Sequence, residues 1–248
     1  MQRYWAGTRN ELDKLLSKKK YFVFFAIEIA ICVIVILLDK LLSRVSGGVL
    51  TFGGADLSLM MLTFFIRVYI PLIIFMASCD VFSSEFSDLT ARAVLIRPVT
   101  RLKAYLSKIT AIMLMGLVFL AMLLITTVAL EGFSGGGIRN FWLSFGAYLL
   151  DAVPLFVLLL MAVFVNQLTK SSSLAMFLLI LIYALLTIVG IFVPQLSGLL
   201  FTGYSQWHNL WIGETIPFKP MLAKIGLLAG YATIFMSGGY YLFERREF

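Results

Sequence analysis

The stretch YFVFFAIEIAICVIVILLDKLL, Tyr21 to Leu42, decides the fold class. From Tyr21 to Leu38 a single charged residue, Glu28, interrupts it. About twenty consecutive apolar residues, wound as an α-helix, cross the hydrocarbon core of a bilayer. The run exceeds the apolar region of a secretory signal, and no small-residue cleavage site follows it, so it reads as a retained span. Similar runs recur at 57–79, 105–130, 141–168, 174–193 and 221–243. The expectation is an all-α integral membrane protein of six spans forming one domain over 1–248.

Composition agrees. Of the 248 residues, 61% are hydrophobic and 13% are charged, and mean hydropathy is +0.98. A soluble fold cannot hide that much apolar surface, and its charged share is usually about a quarter. The net charge of +7 would suit nucleic acid in a soluble chain. Here the basic residues flank apolar runs, so membrane orientation accounts for them and no nucleic-acid partner is expected. Cys32 and Cys79 fall in or beside runs at different depths, which reads as two small buried hydrophobes and no disulfide.

The distribution of Lys and Arg sets the topology. Arg3, Arg9, Lys14, Lys18, Lys19 and Lys20 precede the first run. Arg92, Arg97, Arg101, Lys103 and Lys108 follow the second, Lys170 lies between the fourth and fifth, and Arg245 and Arg246 follow the last. Those fourteen share one side; Lys40, Arg44, Arg139, Lys219 and Lys224 make five on the other. The side richer in Lys and Arg is the cytoplasmic one, so a plasma-membrane protein with both termini in the cytoplasm is expected.

Residues 1–20 are amphipathic. Trp5, Leu12, Leu15 and Leu16 recur near helical spacing with Arg9, Lys14 and Lys18 between them. That pattern suits a helix lying in the lipid interface. The segment 194–220 is long yet aromatic, with Phe201, Tyr204, Trp207 and Trp211. Pro194, Gly198, Gly203, Gly213, Pro217 and Pro220 should break it into short re-entrant or interfacial helices on the outer side. Tyr204, Trp207 and Trp211 are candidates for an outer gate.

Catalytic signatures are absent. The sequence holds one histidine, His208, and no HExxH, GxSxG or GxxxxGK[ST]. A zinc-protease helix, a nucleophile elbow and a P-loop are thereby excluded, and no cofactor or metal is expected in this chain. An intramembrane enzyme would need clustered His, Glu or Ser within spans, which a single outer histidine does not supply. The ionisable residues inside spans are Glu28, Arg67 and Asp151, each costly there. Arg67 and Asp151 each lie ten residues into a run from the outer side. That is a shared depth of roughly 15 Å, so the two are expected to pair or to share a wet cavity. Glu28 lies nearer the cytoplasm and would line an inner vestibule or reach toward the lysines.

The loop CDVFSSEFSDLTARAVLIRPVTRLKAYLSK, Cys79 to Lys108, carries the strongest local signal. Ser84, Ser87 or Asp88 can cap a short helix. Phe86, Leu89, Ala93 and Val94 form an apolar stripe at helical spacing. Pro98 drives Arg97 out of the helical region and ends it. A short amphipathic helix with a break on each side is a docking surface.

Here the chain resembles the permease subunits of type-2 ATP-binding-cassette (ABC) exporters. Glu85, Leu89-Thr90, the RPVTR run from Arg97 to Arg101, and Lys108 stand in that family's order. The glycine of that family's Gly-Thr pair is absent, the chain reading Asp88-Leu89-Thr90. The layout is similar over essentially the whole chain. The resemblance implies that residues 1–20 are an elbow helix and that 80–104 form a coupling loop. Glu85, Phe86, Asp88, Leu89, Thr90, Arg92, Arg97 and Pro98 would meet a separate cytoplasmic ATPase, two copies of which carry ATP and Mg. It further implies a second permease subunit, identical or different. Six-span permeases of this size resemble exporters of lantibiotic-type and phenol-soluble-modulin peptides; others move drugs, lipids, glycans or sodium. The apolar, aromatic spans favour an amphipathic peptide cargo.

Overall fold

The computed structural model describes residues 2–47, 57–83, 100–134, 141–211 and 218–245. The described residues form helices and turns. Among the described residues six helices are long and apolar enough to cross a membrane: Lys19–Val45, Ser58–Ser83, Arg101–Gly132, Phe141–Leu168, Ser172–Phe192 and Met221–Arg245. We call these spans one to six. They lie over the six expected runs, and the multi-pass membrane reading stands. The coupling loop falls mostly outside the described residues.

An N-terminal helix, Gln2–Leu16, precedes span one. It ends at Ser17, and Lys18 takes an extended conformation, which separates it from span one. The helix packs along the start of span three. Its fully buried residues are Thr8, Glu11 and Leu15; of the apolar set that its periodicity suggests, Leu15 is buried, Leu12 and Leu16 pack against the core, and Trp5 is 61% exposed. The partner surface explains the difference. Span three offers Ser107, Lys108 and Thr110. Tyr4 and Thr8 bond the Thr110 hydroxyl at 3.0 and 3.2 Å.

Spans two, three and four make the centre. Of the most apolar stretch of span four 67% is buried, against 11% in span five and 6% in span six. Ile70, Ile73, Ile74 and Phe75 of span two pack with Ile112, Met115, Phe119 and Leu123 of span three, and with Leu158, Leu159 and Ala162 of span four. Threonines inside spans return their hydroxyls to their own helix: Thr126, Thr127, Thr187 and Thr233 each donate to the carbonyl four residues back. In an apolar medium every hydroxyl needs such a partner. Span six closes on span four through glycine. A Cβ at Gly239 would collide with the Tyr105 hydroxyl, and one at Gly238 would press on Phe164 at 3.1 Å.

Span two is not a regular α-helix. It runs as α-helix over Leu57–Phe64, a π-turn over Phe65–Tyr69, α-helix over Ile70–Ser78 and a second π-turn over Cys79–Ser83. Pro71 is the physical cause of the first irregularity. Proline has no N–H and its ring crowds the carbonyl four residues back, here that of Arg67. The freed carbonyl is taken by span five, where the Tyr183 hydroxyl donates to Arg67 O at 2.7 Å. The segment before span six breaks into Pro194–Ser197 and two 3-10 turns, Phe201–Tyr204 and Trp207–Leu210. Gly203 is required there, because a Cβ would stand 2.5 Å from the Ser197 carbonyl oxygen.

Candidate functional site

Two polar clusters interrupt the apolar packing, one at each end of the bundle. At the end that carries the N-terminal helix, the second π-turn presents Asp80. Its carboxylate accepts from Lys20 Nζ at 2.6 Å, from the Tyr21 hydroxyl at 2.7 Å and from Lys18 Nζ at 3.1 Å. Span one is thereby tied to the last turn of span two. Glu11 of the N-terminal helix takes Lys14 at 3.0 Å and the buried Lys108 of span three at 3.6 Å. Lys108 also donates to Val81 O at 3.1 Å and lies over the Phe82 ring. Asn166 completes the cluster from span four, accepting from the Ser83 hydroxyl at 2.6 Å and donating to Ser78 Oγ at 2.9 Å. The residues just before the 84–99 stretch are therefore held by charge and hydrogen bonds to spans one, three and four, and beyond the stretch span three is held at Lys108 to the N-terminal helix.

Beside this cluster lies a cavity of about 490 Å³. Its lining mixes polar side chains, Lys20, Asp80, Ser172 and Ser173, with the apolar Met76, Met176, Phe177 and Ile180.

At the opposite end, the 3-10 turns reach in to Asp151. The His208 backbone N–H donates to Asp151 Oδ1 at 2.8 Å, and His208 Nδ1 stands 2.7 Å from Oδ2, with one proton between them. Both side chains are buried. Two residues earlier, Gln206 Oε1 accepts from Arg67 at 2.9 Å, and its amide faces the Thr63 carbonyl at 3.4 Å. The expected Arg67–Asp151 pair is therefore corrected: each side chain is bound to the 206–208 stretch instead. Equal depth placed them at one level, but the intervening turn supplies better partners for both. A void of about 10 Å³ lies nearby, between Phe201, Thr202 and Ser205 and spans two, four and five.

Of the remaining expected residues, Tyr204 and Trp207 are buried and Trp211 is 41% exposed. The Tyr204 hydroxyl donates to Gly198 O at 2.7 Å, and burial raises its titration above the ordinary tyrosine range. Trp211 therefore does not share the packing of the other two. Glu28 is 0% exposed and makes no hydrogen bond among the described residues. It neither lines a vestibule nor reaches the lysines, which Asp80 and Glu11 engage. Cys32 and Cys79 are free and buried. Glu85, Phe86, Asp88, Leu89, Thr90, Arg92, Arg97 and Pro98 lie outside the described residues. Sequence reasoning missed Asp80, Glu11 and Asn166, and noted Lys108 only as the lysine that opens span three. It also set His208 aside, although the sole histidine of an aromatic segment, facing a span that carries a lone Asp, was a usable signal. Among the described residues no three of His, Cys, Asp and Glu stand together as a metal site.

The profile of DUF2705, a protein family of unknown function, matches residues 30–248. The chain belongs to the DUF2705 family. In this DUF2705 member the match takes in most of span one, all of spans two to six and both ties at the 206–208 turn, and leaves out the N-terminal helix. No curated protein matches the chain.

Proposed function

We propose that this DUF2705 member is the transmembrane subunit of an ATP-driven exporter of the type-2 ABC kind, acting in the plasma membrane with both termini in the cytoplasm. A separate ATPase dimer carries ATP and Mg, and a second permease subunit, identical or different, completes the channel. The cargo is an amphipathic peptide. The observation that carries the reading is how the 84–99 stretch is anchored. A loop that relays a push from a docked ATPase needs stiff ends. Here one end is held by Asp80 to Lys18, Lys20 and Tyr21, and the other leads through span three to Lys108 and Glu11. In this reading Glu85 to Pro98 form the coupling helix and Gln2–Leu16 the elbow. The turns over 194–211 form a re-entrant outer cap, in which Tyr204 and Trp207 pack the gate. The cavity of about 490 Å³, lined by both polar and apolar side chains, has the character an amphipathic cargo matches.

The test is to ask whether a neighbouring reading frame encodes an ABC ATPase and to reconstitute the chain with it. ATP hydrolysis should rise on co-assembly and rise again with a cationic amphipathic peptide. Substituting Glu85→Ala or Arg97→Ala should abolish the first rise while the chain stays folded. An ATPase that neither co-purifies nor responds sinks the proposal.

A further inference from the structure

Glu28 carries a second reading, independent of the exporter proposal. It lies in span one, fully buried, with neither carboxyl oxygen hydrogen-bonded among the described residues. Its surroundings are aromatic. Phe24 and Phe25 stand one turn back on span one. Tyr69 packs edge-on to Phe24 at 6.1 Å and to Phe65 at 5.1 Å, and Phe25 stacks on Phe119 of span three at 4.0 Å. The Tyr69 hydroxyl, the donor best placed to serve Glu28, is directed to the Phe24 carbonyl at 2.5 Å. The first π-turn of span two ends at Tyr69, and such turns concentrate at functional positions. The titratable groups near Glu28 are Tyr69 of span two and Cys32 of its own span. Span three faces this region with Phe119 and Thr126, neither of which titrates.

A carboxylate charge in such a place, with no counter-charge, is among the costliest arrangements a bundle can hold, and the group neutralises instead. A metal ion is a poor neutraliser, because a hard cation needs several oxygen ligands at once. The aromatic shell offers one carboxyl group. The proton is the ligand that needs no further donor.

We infer that Glu28 is a proton-binding site that latches the contact of spans one, two and three around Tyr69. The carboxylate takes a proton from water when the contact closes. Returning that proton to water leaves a charge that the closed contact does not accommodate, so the contact opens.

Two measurements on the full chain in mild detergent test this. The first compares thermal unfolding of the protein with that of Glu28→Gln across pH. The native protein holds one more proton than the unfolded chain, so its stability falls as pH rises. Gln cannot lose a proton, so the variant should be at least as stable at neutral pH and its advantage should grow with pH. A variant less stable than the parent, or an advantage that does not change with pH, overturns the inference. The second needs no substitution. Cys32 lies one turn from Glu28, and Cys79 lies at the Asp80 cluster, so the two buried thiols report on different places in one molecule. N-ethylmaleimide alkylation of each is read by peptide mass. The ratio of Cys32 to Cys79 labelling should climb with pH, by up to about tenfold per pH unit for a one-proton opening. A negative Glu28 disfavours the Cys32 thiolate, so a climb is not a direct charge effect. A ratio constant with pH overturns the inference.

Discussion

At the end that carries the N-terminal helix, Asp80 and Glu11 gather Lys14, Lys18, Lys20 and Lys108 into an ionic collar. At the opposite end one carboxylate, Asp151, takes the backbone N–H and the ring nitrogen of one residue, His208. The collar is redundant, and all its lysines but the buried Lys108 are partly wet. The far clamp is single and dry. Redundant charge in water loses little when one member is removed, because the rest redistribute. A buried carboxylate with two dedicated partners leaves both of them stranded when it goes. The two ends should therefore respond to comparable substitutions by different amounts.

The largest effect is expected at Asp151→Ala. It strands the His208 N–H and ring nitrogen in a buried place. The expected loss is about 3 kcal/mol. It is read as a lowered thermal midpoint in detergent together with earlier proteolytic cleavage between 194 and 211. Asp151→Asn keeps one acceptor for the backbone N–H and should lose clearly less. Equal losses for the two substitutions would show that the clamp does not work through those two bonds.

The far clamp was only half legible in the sequence. Asp151 stands out in the fourth run because a lone carboxylate among apolar residues is conspicuous. Its partner does not, since His208 is 57 residues away in an aromatic segment that reads as loop. Helical rise gives depth but no direction around the bundle, which is why Arg67 looked like a partner at the same level. The spans themselves were legible because an unbroken apolar run needs no tertiary information. The N-terminal helix shows the opposite case. Its periodicity selects Trp5, Leu12, Leu15 and Leu16, yet Thr8 and Glu11 are buried, because the face it meets on span three is polar. A helix buries what its neighbour can satisfy, and the neighbour is a non-local fact. The irregularity of span two has the same origin: Pro71 announces a freed Arg67 carbonyl, but nothing local announces Tyr183 as its donor.

A middle effect is expected at Glu11→Gln. Lys108 is nearly fully buried and would keep the Val81 carbonyl and the Phe82 ring but lose the Glu11 charge. The loss should be about 2 kcal/mol, below that of a bare buried ion because other partners remain. Adding Lys108→Met to Glu11→Gln should recover part of it, since the stranded charge is then gone. Thermal midpoints of the single and double variants decide this. If the double variant falls by the sum of the singles, Glu11 and Lys108 are not a pair.

Asp80→Asn should cost less, about 1 kcal/mol, because Lys18 and Lys20 are each 39% exposed and turn to water. Raising the salt concentration should lower the parent's midpoint and leave the Asp80→Asn variant nearly unmoved, as screening acts on the ion pairs the variant lacks. The Asp151→Ala variant should show the same salt response as the parent. A salt response that Asp151→Ala removes and Asp80→Asn keeps would reverse the assignment of the wet and dry ends.

The smallest expected term is the coupling between Arg67 and Asp151, and it separates a direct pair from two independent ties to one turn. The cycle consists of Arg67→Gln, Asp151→Asn and the double variant. Two charges in direct contact inside a membrane should give a coupling of several kcal/mol, with each single substitution costing about as much as both together. The arrangement here is different. Arg67 holds Gln206 and Asp151 holds His208, and neither touches the other's partner. Loosening the turn at His208 weakens, without abolishing, what Arg67 gains from Gln206. The double loss should therefore fall short of the sum by only about 0.5 kcal/mol. The coupling should also vanish in a Gln206→Ala background, because the turn then no longer connects the two sites. A coupling that persists when Gln206 is gone requires a route between Arg67 and Asp151 that bypasses the turn, and would return the pair to direct contact.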